Sequence, residues 1–149
     1  MAFVDVQVET EIARPVAEVA AFAGDPSRAP EWYVNISSVE WVTPPPAALG
    51  SRMRFVASFL GRRLEYTYEI VELVAGERLV MRTEQGPFPM ETTYTWEPTA
   101  PSGTRMTLRN RGEPSGFASV AAPMMRRAMR SATTKDLARL KVILEQGGD

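Results

Sequence analysis

Apolar residues recur at every second position through most of this chain and switch to helical spacing near its end. From Phe3 to Ile12, Val4, Val6, Val8 and Ile12 alternate with Asp5, Gln7, Glu9 and Glu11. That period of two predicts a strand with one buried and one wet face. Ala13-Arg14-Pro15 then opens a short helix, with Pro15 suited to its first position and Val16, Val19, Ala20, Phe22 and Ala23 on its apolar side. Gly24-Asp25-Pro26 stops it. Asp25 is a cap for a second short helix that runs to Glu31-Trp32.

Six more strands are predicted. The first covers Asn35 to Thr43 and ends at Pro44-Pro45-Pro46, which cannot donate to a ladder. After Gly50, Met53, Phe55, Ala57 and Phe59 share a face opposite Arg52, Arg54 and Ser58. Leu60-Gly61-Arg62 reads as a tight turn in which Gly61 takes a positive φ. Leu64, Tyr66, Tyr68 and Ile70 then oppose Glu65, Thr67 and Glu69. Leu79, Met81 and Thr83 align in the segment 78–85; Met90, Thr92, Tyr94 and Trp96 align in the next. Thr104, Met106, Leu108 and Asn110 align in the last.

The closing helix is predicted to start between Ser115 and Pro123 and to run to about Glu145. Met129, Thr133, Leu137, Leu140 and Leu144 form its stripe. Arg126, Arg127, Arg130, Lys135, Arg139 and Lys141 form its wet side. Seven strands, two short helices after the first and one long closing helix make an α+β chain. A single helix laid in a curved antiparallel sheet need not fill its concavity, so a pocket is expected between them. The chain has 149 residues, and one domain over 1–149 is the simplest division.

Composition narrows the chemistry. There is no cysteine and no histidine. This excludes disulfides, thiolate nucleophiles, His-based triads and His- or Cys-ligated metal. Any general acid or base must be Asp, Glu, Tyr, Lys or water. No feature asks for a metal or organic cofactor. A net charge of -1 offers no field for nucleic acid, so no nucleic-acid partner is expected. The N-terminal stretch lacks the pattern of a signal peptide, and no run of ~20 apolar residues is present. The expectation is a cytoplasmic protein without stable membrane insertion. Nothing sets an oligomeric state.

On the predicted alternation, Tyr66, Tyr68, Thr83, Thr92, Tyr94 and Asn110 point inward with Met53, Phe55, Phe59, Met81, Met90, Met106 and Leu108. Phe117 from the preceding loop, and Met124 and Ala128 from the helix, complete the predicted ligand contacts. A mostly apolar wall with a few polar groups suits a small hydrophobic molecule. The same hydroxyls would equally serve to hold the sheet together. Catalysis, if present, would draw on Tyr66, Tyr68, Tyr94 and Glu72. Glu69 has the outward parity, whereas Glu72 has the inward parity near a strand end. The six arginines at 52, 54, 82, 105, 109 and 111 are read as outward, paired with Glu65, Glu69, Glu84 and Glu91. Phe88 and Phe117 are candidate gate residues, and Trp32, Tyr33 and Trp41 candidate surface aromatics.

Several strings resemble the polyketide cyclase/dehydrase branch of the START-like (SRPBCC) superfamily. They include Pro15-Val16 with Val19 and Phe22; Asp25-Pro26 with Pro30-Glu31-Trp32; Gly50-Ser51-Arg52; and Leu60-Gly61-Arg62. Tyr68-Glu69-Ile70-Val71-Glu72, Gly76-Glu77-Arg78-Leu79 and Gly103-Thr104-Arg105-Met106-Thr107-Leu108 extend the match over nearly the whole chain. The resemblance implies a helix-grip fold, in which a curved seven-stranded antiparallel sheet wraps a long C-terminal helix around a hydrophobic cavity. It implies binding of an aromatic, polyketide-like or acyl molecule. A cofactor-free aromatic polyketide cyclase or dehydratase and a protein-interaction module are the alternatives.

Overall fold

The computed structural model describes residues 4–85, 89–112 and 121–146. Seven strands form one antiparallel sheet in the order β1-β7-β6-β5-β4-β3-β2. They are β1 (Val4–Ile12), β2 (Ile36–Trp41), β3 (Arg52–Phe59), β4 (Arg62–Val74), β5 (Arg78–Gln85), β6 (Met90–Thr99) and β7 (Gly103–Gly112). Between β1 and β2 lie α1 (Val16–Ala23), a single 3-10 turn at Pro26–Arg28, and α2 (Ala29–Trp32). The long helix α3 (Ala122–Gln146) closes the chain. This is the helix-grip architecture that the resemblance implies, built from the strands that the alternation predicts.

Local chemistry explains the junctions. Asp25 caps the 3-10 turn by accepting from the Ser27 amide, and Pro26 fills the position that needs no donor. Pro15 sits one residue earlier than anticipated, at the cap of α1 and not inside it. The β3–β4 hairpin turns through Leu60 (φ 51°) and Gly61 (φ 76°). Two successive positive φ values match the right-handed twist of the flanking strands. Pro123 lies in the first turn of α3, where its missing amide costs nothing.

Each strand buries the face that its alternation marks. Met53, Phe55 and Ala57 on β3, Leu64, Tyr68 and Ile70 on β4, and Tyr94 and Trp96 on β6 are all buried. Met106 and Leu108 on β7 are fully enclosed. Arginines and acids occupy the opposite face. Arg52 pairs with Glu69, Arg54 with Glu40 and Glu65, and Arg109 with Asp5. Arg82 and Arg111 both reach Glu91. At the edge strand β1, Arg130 donates to the Gln7 carbonyl and Lys141 to the Glu11 carbonyl. These two bonds occupy edge acceptors that would otherwise face solvent.

The described residues form two apolar clusters in the interior. The larger includes Ile12, Trp32, Trp96, Met106, Leu137 and Leu140. The smaller includes Val4, Val6, Leu64, Met125 and Met129. Tyr66 and Met90 pack against both.

Candidate functional site

Where the two clusters meet, the interior is not filled. A cavity of about 100 Å³ is lined by residues of β3, β4, β5, β6, β7, α3 and the α2–β2 link. Of the inward residues anticipated from alternation, Phe55, Phe59, Tyr66, Tyr68 and Met81 line it, as do Met90, Thr92, Tyr94 and Asn110. They converge because paired residues share a face. Phe55 opposes Tyr66 and Thr92 opposes both Met81 and Asn110.

The remaining expectations are placed elsewhere. Met53, Met106 and Leu108 are buried without lining the cavity. Thr83 turns its hydroxyl to the Met90 backbone, accepting from the amide at 2.8 Å. Met124 is 66% exposed and Ala128 is half-buried off the cavity wall; helical rotation gives the inward positions to Met129, Ala132 and Thr133. Phe88 and Phe117 lie outside the described residues.

Glu72 is a correction. Ile70 pairs with Met81, but Glu72 pairs with Val80, so one extra residue is inserted in β4. A bulge of this kind reverses the parity beyond it. Glu72 is therefore turned to solvent, where it pairs with Arg78 at 3.0 Å. The surface-aromatic expectation also fails. Trp32 is fully buried, Tyr33 lines the cavity, and Trp41 is half-buried with its indole N–H bonded to Ser27 Oγ.

A directional hydrogen-bond chain crosses the cavity wall. Thr92 Oγ1 donates to Asn110 Oδ1 at 2.6 Å, and Asn110 Nδ2 reaches Thr133 Oγ1 at 3.4 Å. Thr133 donates to the Met129 carbonyl one turn back in α3. Since the single proton of Thr92 is committed to Asn110, the hydroxyl of Tyr68 must donate to Thr92. The chain therefore runs from β4 through β6 and β7 into the helix. Separately, the hydroxyls of Tyr33 and Tyr94 bond each other. Among the described residues the Tyr66 hydroxyl has no hydrogen-bond partner.

The acid of the site is Asp136 on α3. It is 4% exposed, and its Oδ1 accepts from the Val34 amide at 2.8 Å. Burial pushes its carboxyl up to about 7, against the opposing pull of the Val34 amide and Arg139. Burial likewise raises the Tyr33, Tyr66, Tyr68 and Tyr94 hydroxyls, so all four stay protonated at neutral pH. The sequence carried a usable signal for Asp136. It follows Thr133 by three residues and precedes Leu140 by four, which puts a carboxylate inside the helix stripe. Tyr33 carried none, because its segment has no period. Among the described residues no group of three or more acids is arranged to hold a metal. No described helix is long and apolar enough to cross a membrane.

The sequence profile of the family described as "Polyketide cyclase / dehydrase and lipid transport" matches residues 4–145. The chain belongs to this family. Solved structures agree on the fold. A protein of Thermus thermophilus is 22% identical, with a TM-score of 0.82, and the alignment covers 97% of this chain and 99% of the other. A START superfamily protein of Mycobacterium smegmatis is 17% identical, with a TM-score of 0.81 and coverage of 95% and 97%. The Zhui aromatase/cyclase of a Streptomyces species is 15% identical, with a TM-score of 0.78 and coverage of 97% and 94%. No functionally curated protein matches the chain. At these identities the structural likeness establishes the helix-grip fold of START and polyketide-cyclase domains, and family membership rests on the profile.

Proposed function

We propose that this protein binds a small hydrophobic molecule in the cavity between α3 and the sheet. One observation carries the reading: an interior space walled mainly by aromatic and methionine side chains, into which a few polar groups converge. A core selected only for stability would fill that space, because interiors pack to near-crystalline density. The size favours a compact ligand. About 100 Å³ is less than the ~150 Å³ engineered cavity that accepts benzene. A single ring or a short acyl chain suits this space, and a multi-ring product requires the wall to move.

A second reading is a cofactor-free aromatic polyketide cyclase or dehydratase. Asp136 favours it, as a carboxyl on the cavity wall whose pKa is raised to about 7. Such a group can take a proton alpha to a carbonyl and return it to a departing hydroxyl. The likeness to an aromatase/cyclase points the same way. The small volume favours binding over this chemistry.

Native mass spectrometry of gently purified protein, followed by thermal shift with single-ring aromatics and short acyl compounds, tests the reading. Saturation at about 100 times Kd should stabilise the fold by ~2.7 kcal/mol, a rise of several degrees. Ala132→Trp, which fills the cavity, should abolish that rise. A shift that survives Ala132→Trp would put the ligand elsewhere, and the absence of any adduct or shift would remove the proposal.

A further inference from the structure

The charge of the cavity wall narrows the ligand further than its shape does. Apart from tyrosines, Asp136 is the one ionisable residue among the described lining, and no arginine or lysine reaches it. Its Oδ1 is bonded to the Val34 amide, and its other oxygen has no hydrogen-bond partner among the described residues. Arg139, on the same helix, acts on Asp136 through space and forms no ion pair with it. The rings of Tyr33, Phe55, Tyr66 and Tyr94 line the same cavity, and aromatic faces carry partial negative charge. Burial and neighbouring tyrosines chiefly raise the hydroxyls of Tyr33, Tyr66 and Tyr94, and Asp136 adds to the rise.

A lone buried carboxylate is costly, and it is made less so by a cation or by taking up a proton. Among the described residues no cation pairs with it, and Arg139 acts on it only through space. A carboxylate-bearing ligand would place like charge beside Asp136. A neutral alcohol would give one hydrogen bond and leave the desolvation uncompensated. An ammonium supplies the missing charge, donates to the open oxygen and lies against aromatic faces, which attract cations.

We propose that the cavity selects a small organic amine, with its apolar part among the tyrosine and phenylalanine rings and its ammonium paired with the Asp136 carboxylate. The proposal rests on the ligand-binding reading above and names the ligand class for the same site.

Proton linkage gives a second signature. The groups facing Asp136 are the hydroxyls of Tyr33, Tyr66 and Tyr94, which stay protonated, and the permanently charged Arg139. Asp136 itself is then the titrating partner. Its charged form increases as pH rises through about 7, so amine affinity should rise over the same range.

Benzylamine, benzyl alcohol and benzoate form a matched set, and calorimetry on the full chain compares them. At about pH 8 the amine should bind at least tenfold tighter than the alcohol, as expected for a desolvated cation–carboxylate pair, with benzoate weakest. Asp136→Asn should abolish that preference, bringing the amine down to the affinity of the alcohol. Should that variant not fold, the wild type alone suffices. Between about pH 5.5 and pH 8 its amine affinity should increase roughly thirtyfold while alcohol affinity stays flat. Alcohol or benzoate binding as tightly as the amine, or amine binding insensitive to pH, overturns the amine assignment and leaves the ligand-binding reading standing. Failure of all three to bind overturns the amine assignment, and the wider panel of single-ring aromatics and short acyl compounds then decides the ligand-binding reading.

Discussion

The two halves of α3 meet the same sheet with different results. Toward its C-terminus, Leu137 and Leu140 are enclosed in the large cluster, with Ile143 and Leu144 packed against it. On the N-terminal side of these, Met129, Ala132, Thr133 and Asp136 line the cavity, and Met125, a turn earlier, packs into the smaller cluster. The sheet contributes large side chains along both halves. The helix makes the difference. Branched apolar residues reach the floor of the groove and close it, whereas alanine, threonine and aspartate stop short. A container in this fold is thus made by shortening one stretch of one helix, with the polar ends of that stretch tied into the hydrogen-bond network of the wall.

If that contrast is correct, the two halves should answer mutation oppositely. The largest effect is expected at Asp136. Its carboxyl sits at about 7 in the folded protein, against an ordinary value near 3.9 when unfolded. The folded state therefore holds the proton longer. The penalty is absent below pH ~4, grows as pH rises, and is complete above about 7. Asp136→Asn should match the wild type near pH 4 and exceed its stability by about 4 kcal/mol near pH 8, read by urea unfolding at both pH values. The other perturbed carboxyls, Asp5, Glu65, Glu91 and Glu145, are held low by arginine or lysine partners and are common to both proteins, so they cancel in the difference. A variant less stable than wild type at pH 8 would show that Asp136 serves structure more than binding.

Leu140→Ala comes next. It should cost about 3 kcal/mol, as expected where a fully enclosed leucine leaves a void, with ligand affinity unchanged once the protein is folded. A loss below about 1 kcal/mol would mean that this half is not the solid one. The smallest effect is expected at Tyr68→Phe, which removes the first donor of the wall chain. About 1 kcal/mol should be lost, since Thr92 keeps its bond to Asn110 and only one acceptor is left open. Chemical unfolding beside a Thr92→Val variant would separate that bond from ring packing.

Most of the strands and the closing helix were legible along the chain. The alternation in Met53, Phe55 and Phe59, and in Tyr66, Tyr68 and Ile70, places those residues on the concave face without reference to any distant residue. The same reasoning failed at Glu72, where a bulge changes the count and turns the carboxylate outward. It failed at Tyr33, which lies in an aperiodic link and is brought to the cavity through its bond to Tyr94 on β6. It passed over Asp136, because Leu137 beside it satisfies the same helical period and is the more usual core residue.

Element type and order, and the face of each strand up to the bulge in β4, were determined by the sequence alone, because periods of two and 3.6 depend only on neighbours along the chain. Three things were decided by tertiary structure: the cavity, the placing of the Asp136 carboxylate on its wall and the directional hydrogen-bond chain around it. Each depends on distance between residues far apart in sequence. Thr92, Asn110 and Thr133 come from three elements, and whether the space among them stays empty depends on how far each opposing side chain reaches. No local period records that reach.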